Sequence, residues 1–141
     1  MHEFSAMQSI LKAAFKAAKD HGASRIVEVD LEIGKLTFLS IEQLRFIYSV
    51  LTEGTIAEGA ELHIREVEPR IRCSKCGYEG PLVYRGPEIH VLYVPLSLRC
   101  PRCKEASVEL TSGRECTLKS LKVEVKRKEF NTLKDQTDKE N

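Results

Sequence analysis

Apolar residues near the start of the chain recur at helical spacing and predict an amphipathic helix over residues 5–21. The stripe consists of Met7, Ile10, Leu11, Ala14, Phe15 and Ala18. Ser5 followed by Gln8 matches a capping box, and Gly22 is typical of a helix end. The same cap pattern precedes a second apolar stripe, so a second helix is predicted over residues 40–54.

Three other segments alternate between apolar and polar residues, which is typical of strands with one buried face. In the first of them, apolar and acidic positions alternate through Val27, Glu28, Val29, Asp30, Leu31, Glu32 and Ile33. The others are residues 61–68, which end at Pro69, and residues 121–126. Because an isolated late strand is unstable, we expect residues 121–126 to pair with the earlier strands.

These elements predict the α+β class, with two helices packed on a three-stranded sheet and an inserted zinc-ribbon-like lobe. The sheet domain would comprise residues 1–69 plus 113–127, and the lobe residues 70–112. The last residues, 128–141, are charged and lack periodicity, so we expect a disordered tail.

Composition narrows the possible partners. The 141 residues include 22 Lys and Arg against 21 Asp and Glu, and this balance gives no general reason to expect nucleic acid or an anionic membrane as partner. No apolar run is long enough to span a bilayer, and lysines interrupt the N-terminal apolar residues, unlike a signal peptide. We therefore expect a cytoplasmic protein.

Five cysteines carry the clearest chemical signal. Cys73 and Cys76 form one CxxC pair, and Cys100 and Cys103 form a second. Four thiolates in two such pairs complete a closed tetrahedral zinc site, which leaves no position for a substrate water. We therefore predict a structural Zn(II) that supplies the folding energy of a lobe too small to bury a core of its own. Cys116 is interpreted as a small buried hydrophobe in a strand.

No catalytic motif stands out. The chain lacks GxSxG, P-loop, GxGxxG and HExxH patterns, its four histidines are scattered, and no pair of carboxylates is distinctive. We therefore expect a protein that is not an enzyme.

The N-terminus offers a different kind of metal site. The amine of Met1, the imidazole of His2 and the intervening amide nitrogens could form fused chelate rings in one plane. Planar nitrogen coordination suits Ni(II) and Cu(II), and Glu3 offers an oxygen beside the nitrogens. The alternative is a solvated terminus that happens to contain histidine.

Five motifs in a fixed order resemble one family. They are Met1-His2-Glu3 before a helix, Glu32-Ile-Gly-Lys-Leu36, Gly54-Thr-Ile-Ala-Glu-Gly-Ala-Glu61, the two CxxC pairs, and Lys119-Ser-Leu-Lys-Val-Glu124. This order is similar to that of the HypA/HybF proteins of hydrogenase maturation, over nearly the whole chain except the tail.

The resemblance implies a nickel metallochaperone that carries Ni(II) as cargo at Met1, His2 and Glu3. Its partners would be the hydrogenase-maturation GTPase and the large subunit of [NiFe] hydrogenase, which receives the nickel; some relatives also serve urease. His90 is the nearest match to a loop histidine that reaches the nickel in some archaeal relatives, and an ordinary exposed or packed histidine is the alternative. We expect a monomer or weak homodimer.

A second interpretation is a zinc ribbon that binds nucleic acid or a transcription partner. Basic residues surround the knuckles: Arg72, Lys75, Arg99, Arg102 and Lys104. A tetrathiolate zinc centre has a net charge of about −2, and these residues could simply neutralise it. Exposed aromatic residues for base stacking are scarce here, since only Tyr78 lies near the first knuckle, and we therefore expect no nucleic-acid partner.

Overall fold

The computed structural model describes residues 2–82, 99–125 and 130–134, and divides the chain into two compact units. Unit 1 consists of Met1–Ile33, Leu39–Glu66 and Cys116–Asn141, and unit 2 of Gly34–Phe38 and Val67–Glu115. Unit 2 extends a few residues beyond the expected lobe at both joins and includes an additional short segment after the first strand. No helix in the described part of the chain could span a membrane.

Two helices cover one face of unit 1. Helix α1 (Glu3–Asp20) buries most of the predicted apolar stripe, and Gly22 follows it at φ 68° as expected. The predicted cap at Ser5 is wrong, because the helix begins two residues earlier with His2 as N-cap. Helix α2 (Ile41–Thr52) begins as predicted, with the Ser40 hydroxyl oxygen accepting the Gln43 N–H at 3.2 Å.

The sheet of unit 1 has four strands in the order β2-β1-β6-β7. Strands β1 (Ala23–Gly34), β2 (Glu61–Val67) and β6 (Cys116–Val125) correspond to the three predicted strands. The fourth strand, β7 (Phe130–Lys134), pairs antiparallel with β6. The expected disordered tail is therefore wrong for residues 130–134. Without β7, β6 would be an edge strand with unpaired backbone groups, and its pairing satisfies them.

The buried face of β1 differs from simple alternation at one point. Register shifts interrupt its antiparallel pairing with β6, and one of them lies between Ile26 and Glu28. As a result Ile26 is fully buried, while Val27 is only partly buried. From Val29 onward the predicted alternation holds, so the bulge shifts only the first part of the strand.

Unit 2 has its own three-stranded sheet in the order β4-β3-β5, formed by β3 (Arg70–Cys73), β4 (Glu79–Pro81) and β5 (Val108–Ser112). Two glycines allow a close approach of its backbone segments. The Gly113 carbonyl accepts the Leu36 N–H at 2.8 Å, and a Cβ placed on Gly34 would lie 2.1 Å from the Gly113 oxygen. No side chain fits at Gly34, which explains a glycine there.

Candidate metal sites

The first CxxC pair lies in a tight turn between β3 and β4. The Cys73 N–H donates to the Tyr78 carbonyl at 2.8 Å, and the Gly77 N–H donates to the Cys73 carbonyl at 3.0 Å. Gly77 has φ 80°, in the left-handed region that glycine adopts without strain. This turn brings Cys76 back toward Cys73, so both sulfurs lie on the same side of the turn.

The second pair repeats this backbone arrangement. The Cys100 N–H donates to the Glu105 carbonyl at 2.9 Å, and the Lys104 N–H donates to the Cys100 carbonyl at 2.9 Å. The Cys100 sulfur also accepts the N–H groups of Arg102 at 3.3 Å and Cys103 at 3.4 Å. Backbone donors of this kind stabilise a thiolate, and hence a sulfur ligand of a metal ion.

The four sulfurs form one cluster with the dimensions of a metal site. Cys73 Sγ lies 3.7 Å from Cys103 Sγ, and Cys76 Sγ lies 3.5 Å from Cys100 Sγ. All four sulfurs are within 4.8 Å of one another. A tetrahedral ion with Zn–S bonds of about 2.3 Å would separate its sulfurs by about 3.8 Å. The predicted convergence of the four cysteines is therefore observed, and their type and spacing suit an ion such as zinc.

The surroundings of the cluster shift the pKa values of Cys76 and Cys103 in opposite directions. Burial raises the pKa of Cys76, but hydrogen bonds from the Tyr78 backbone and from neighbouring side chains, including Arg102, outweigh it and lower the pKa to about 6. For Cys103, the Glu105 backbone N–H acts to lower the pKa, but burial and the neighbouring thiols raise it to about 12. A bound divalent cation favours the thiolate form of every ligand, which removes this difference.

The basic residues around the knuckles have acceptors within their own lobe. Four of the five contact a carboxylate or a carbonyl: Arg72 pairs with Glu109, Lys75 Nζ lies 4.0 Å from Glu105 Oε1, Arg99 Nη1 donates to the Lys104 carbonyl at 3.3 Å, and Arg102 Nη2 donates to the Cys76 carbonyl at 2.5 Å. The four basic side chains therefore contribute ion pairs and hydrogen bonds to the lobe itself.

The N-terminal segment begins α1 and leaves a histidine ring exposed. The His2 carbonyl accepts the Ala6 N–H at 2.9 Å and the Ser5 hydroxyl at 3.2 Å, which fixes the backbone of the first turn. The His2 side chain makes no capping hydrogen bond. Met1 lies outside the described residues. Within them, no group of three His, Cys, Asp or Glu side chains includes His2 or Glu3.

Glu3 makes a contact that the sequence pattern did not predict. Its Oε2 accepts the backbone N–H of Ser40 at 2.8 Å. This hydrogen bond, together with the N–H of Glu3 itself, lowers the pKa of the Glu3 carboxyl below its ordinary value of 4.5. The two residues are 37 positions apart, so no local pattern connects them.

The remaining histidines have separate environments. His21 lies at the C-terminus of α1, with Nδ1 2.9 Å from the Ala17 carbonyl oxygen. His63 is an exposed residue of β2, and its Nε2 lies 3.3 Å from Glu61 Oε1 and 3.9 Å from Glu28 Oε1. Glu28 also forms an ion pair with Lys122, whose Nζ lies 3.7 Å from Glu28 Oε2. His90 lies outside the described residues.

Comparison with protein families gives one match across most of the chain. A family model described as "Hydrogenase/urease nickel incorporation, metallochaperone, hypA" matches residues 1–123. This range includes both CxxC pairs and the N-terminal segment.

Relatives and solved structures agree with this match. The chain is 40% identical to a hydrogenase maturation factor HypA from Methanothermobacter thermautotrophicus, over 89% of this chain and 99% of that one. It is 35% identical to a hydrogenase maturation factor HypA from Chlorobaculum tepidum, over 88% of this chain and 100% of that one. The solution structure of the Ni metallochaperone HypA from Helicobacter pylori has the same fold, with a TM-score of 0.61 and 21% identity over 89% of this chain and 100% of that one.

Proposed function

Because the chain belongs to the HypA family of hydrogenase and urease nickel-incorporation metallochaperones, which are not enzymes, we propose that it carries Ni(II) at Met1, His2 and Glu3. In this proposal the protein delivers nickel to the large subunit of [NiFe] hydrogenase, and its four clustered cysteines hold a structural Zn(II). The two metals have opposite roles, since one is cargo and the other stabilises a lobe.

The state of His2 is the observation that carries the nickel proposal. The residue is the N-cap of α1, but its exposed ring makes no capping hydrogen bond and can turn toward a metal. The His2 N–H is at the N-cap of α1, where backbone donors have no acceptor within the helix. The His2 amide nitrogen can therefore lose its proton and bind an ion without breaking a hydrogen bond of the helix.

The proposed ligands are the terminal amine of Met1, the His2 amide nitrogen and the His2 imidazole. Such a set forms fused chelate rings in a plane, a geometry that Ni(II) accepts and zinc does not favour. Ligands at a chain end can detach one at a time, which suits an ion that must be passed on. His90 remains a candidate for an additional ligand.

The cluster of four cysteines is suited to holding a resident metal ion instead of passing one on. Its sulfurs lie at tetrahedral spacing, two of the four cysteines are buried, and backbone N–H groups point at the Cys100 sulfur. Four thiolates close a zinc site completely. We therefore assign Cys73, Cys76, Cys100 and Cys103 to a resident Zn(II) that stabilises unit 2.

The remaining parts of the proposal come from the family resemblance. The protein would work with the hydrogenase-maturation GTPase, its location would be the cytoplasm, and it would act as a monomer or weak homodimer.

A nickel titration by calorimetry tests the proposal. His2→Ala removes the imidazole, and we expect it to abolish nickel binding while zinc content and circular dichroism stay unchanged. His21→Ala is the matched control, because it removes a histidine that caps the opposite end of the same helix. If His2→Ala binds nickel as tightly as the unmodified chain, the assignment is wrong.

A nucleic-acid ribbon is disfavoured by the contacts of its supposed phosphate-binding residues. Arg72 pairs with Glu109, and Arg102 donates to a carbonyl of the first knuckle. Retention on a DNA column that falls steeply with salt would support the ribbon instead, whereas retention on nickel-charged resin alone supports the metallochaperone.

A further inference from the structure

The Glu3 carboxylate connects the starts of the two helices of unit 1. Glu3 is the first residue of α1, and its Oε2 accepts the N–H of Ser40, the N-cap of α2, at 2.8 Å. The Ser40 hydroxyl already accepts the Gln43 N–H within its own helix. The hydroxyl and the carbonyl of Ser40 thus accept N–H groups of α2, and its N–H donates to Glu3.

Electrostatics favours a carboxylate at this point. Each helix N-terminus has a partial positive charge from backbone N–H groups that lack acceptors within the helix. The Glu3 carboxylate lies at the N-terminus of α1 and contacts the N-terminus of α2, so a single negative charge complements both. A charge-assisted hydrogen bond of this kind is stronger than one between neutral groups.

The hydrogen bond to Ser40 restrains Glu3, the residue that follows His2. The His2 carbonyl is held by the first turn of α1, and the Glu3 side chain is held by α2. The backbone on the C-terminal side of the His2 imidazole is therefore anchored at two points. Ligands that are ordered in advance lose less conformational entropy on binding, which raises affinity.

We propose that the Glu3 carboxylate is a positioning group that ties the nickel segment to α2 through Ser40, and that it is not itself a nickel ligand. This inference rests on the proposed function, because it assigns a task within the same segment. Glu3 then contributes to nickel binding through the anchoring of its side chain.

Two substitutions of Glu3 separate positioning from ligation. Glu3→Gln keeps the length of the side chain and an oxygen that can accept the Ser40 N–H. Glu3→Asp keeps the carboxylate but is one methylene shorter, so it cannot reach Ser40 from the same backbone position. Positioning predicts that Glu3→Asp loses more nickel affinity than Glu3→Gln, by about fivefold for one net hydrogen bond. Direct ligation predicts the reverse order.

The nickel absorption spectrum gives a second, independent reading. A bound carboxylate replaced by an amide would change the ligand field, so an altered spectrum in Glu3→Gln would overturn the proposal. An unchanged spectrum, with reduced affinity in Glu3→Asp, supports it. Glu42→Gln is the control, since Glu42 is an exposed acid in the first turn of α2.

The Ser40 amide resonance reports on the tether in the absence of nickel. In the nickel-free protein we expect this resonance to shift in Glu3→Asp and to stay in place in Glu42→Gln. A shift accompanied by no nickel binding in the unmodified chain would refute the proposed function and leave the tether intact. An unshifted resonance in Glu3→Asp would refute the tether itself.

Discussion

Lys104 occupies the same left-handed backbone position in the second knuckle that Gly77 occupies in the first. Their φ angles are 68° and 80°, and each N–H donates to the carbonyl of the first cysteine of its pair. Glycine adopts this conformation without cost, whereas a residue with a Cβ is strained there. The two turns therefore have the same geometry but differ in intrinsic stability.

Replacing Lys104 with glycine should stabilise unit 2. Relief of the left-handed strain is worth about 1 kcal/mol, and the lost side chain is exposed. We expect a higher midpoint of thermal unfolding and slower loss of metal to a chelator. Gly77→Ala is the reciprocal control, because a Cβ there would meet no atom within 4 Å and would add only the backbone strain. Equal stability of all three proteins would contradict this account.

Removing one knuckle cysteine should affect unit 2 and spare unit 1. Cys73→Ser deletes a buried ligand, so we expect loss of bound zinc and unfolding of the β3–β5 sheet, with the helices retained in circular dichroism. Chelation of the metal should reproduce this result. Cys116→Ser serves as the control, since this partly buried cysteine packs against the core of unit 1. Full zinc content in Cys73→Ser would show that the cluster is not the zinc site.

Tyr48 should make unit 1 sensitive to alkali. Burial of its phenol raises the pKa from 10.0 to about 12, and the hydroxyl donates to the Ala60 carbonyl at 3.1 Å. The unfolded chain therefore loses this proton at lower pH than the folded one. The resulting stability is complete below pH 10.0 and is lost as pH rises toward about 12.

Tyr48→Phe removes this dependence at a cost of about 1 kcal/mol near neutral pH, because the Ala60 carbonyl loses its donor. Urea unfolding at a series of alkaline pH values measures both effects. If the unmodified protein and Tyr48→Phe lose stability in parallel above pH 10.0, Tyr48 is not the responsible group.

The sequence predicted those elements whose signal is local. The stripe of α1, the Ser40 cap and the alternation of β6 all depend on residues within a few positions of each other, and each is confirmed. The two CxxC pairs likewise predicted a four-cysteine cluster, because their residue type and spacing leave little alternative.

Features that depend on distant partners were not predictable in this way. The bulge before Val29 depends on the pairing of β1 with β6. Strand β7 forms by pairing with the edge of β6, and the charged, non-periodic C-terminal sequence gives no sign of that pairing. The contact between Glu3 and Ser40 joins two helix ends that only the tertiary fold brings together. The bulge and β7 depend on the sheet topology, and the contact between Glu3 and Ser40 depends on the packing of α1 against α2.

X-ray absorption at the nickel and zinc edges of the doubly loaded protein tests the central claim most directly, because it identifies the ligand atoms of each metal. We predict that nickel is surrounded by nitrogen and oxygen neighbours without sulfur, and that zinc has four sulfur neighbours. Sulfur neighbours at nickel, with zinc displaced from the cysteines, would contradict the assignment of cargo to the N-terminus.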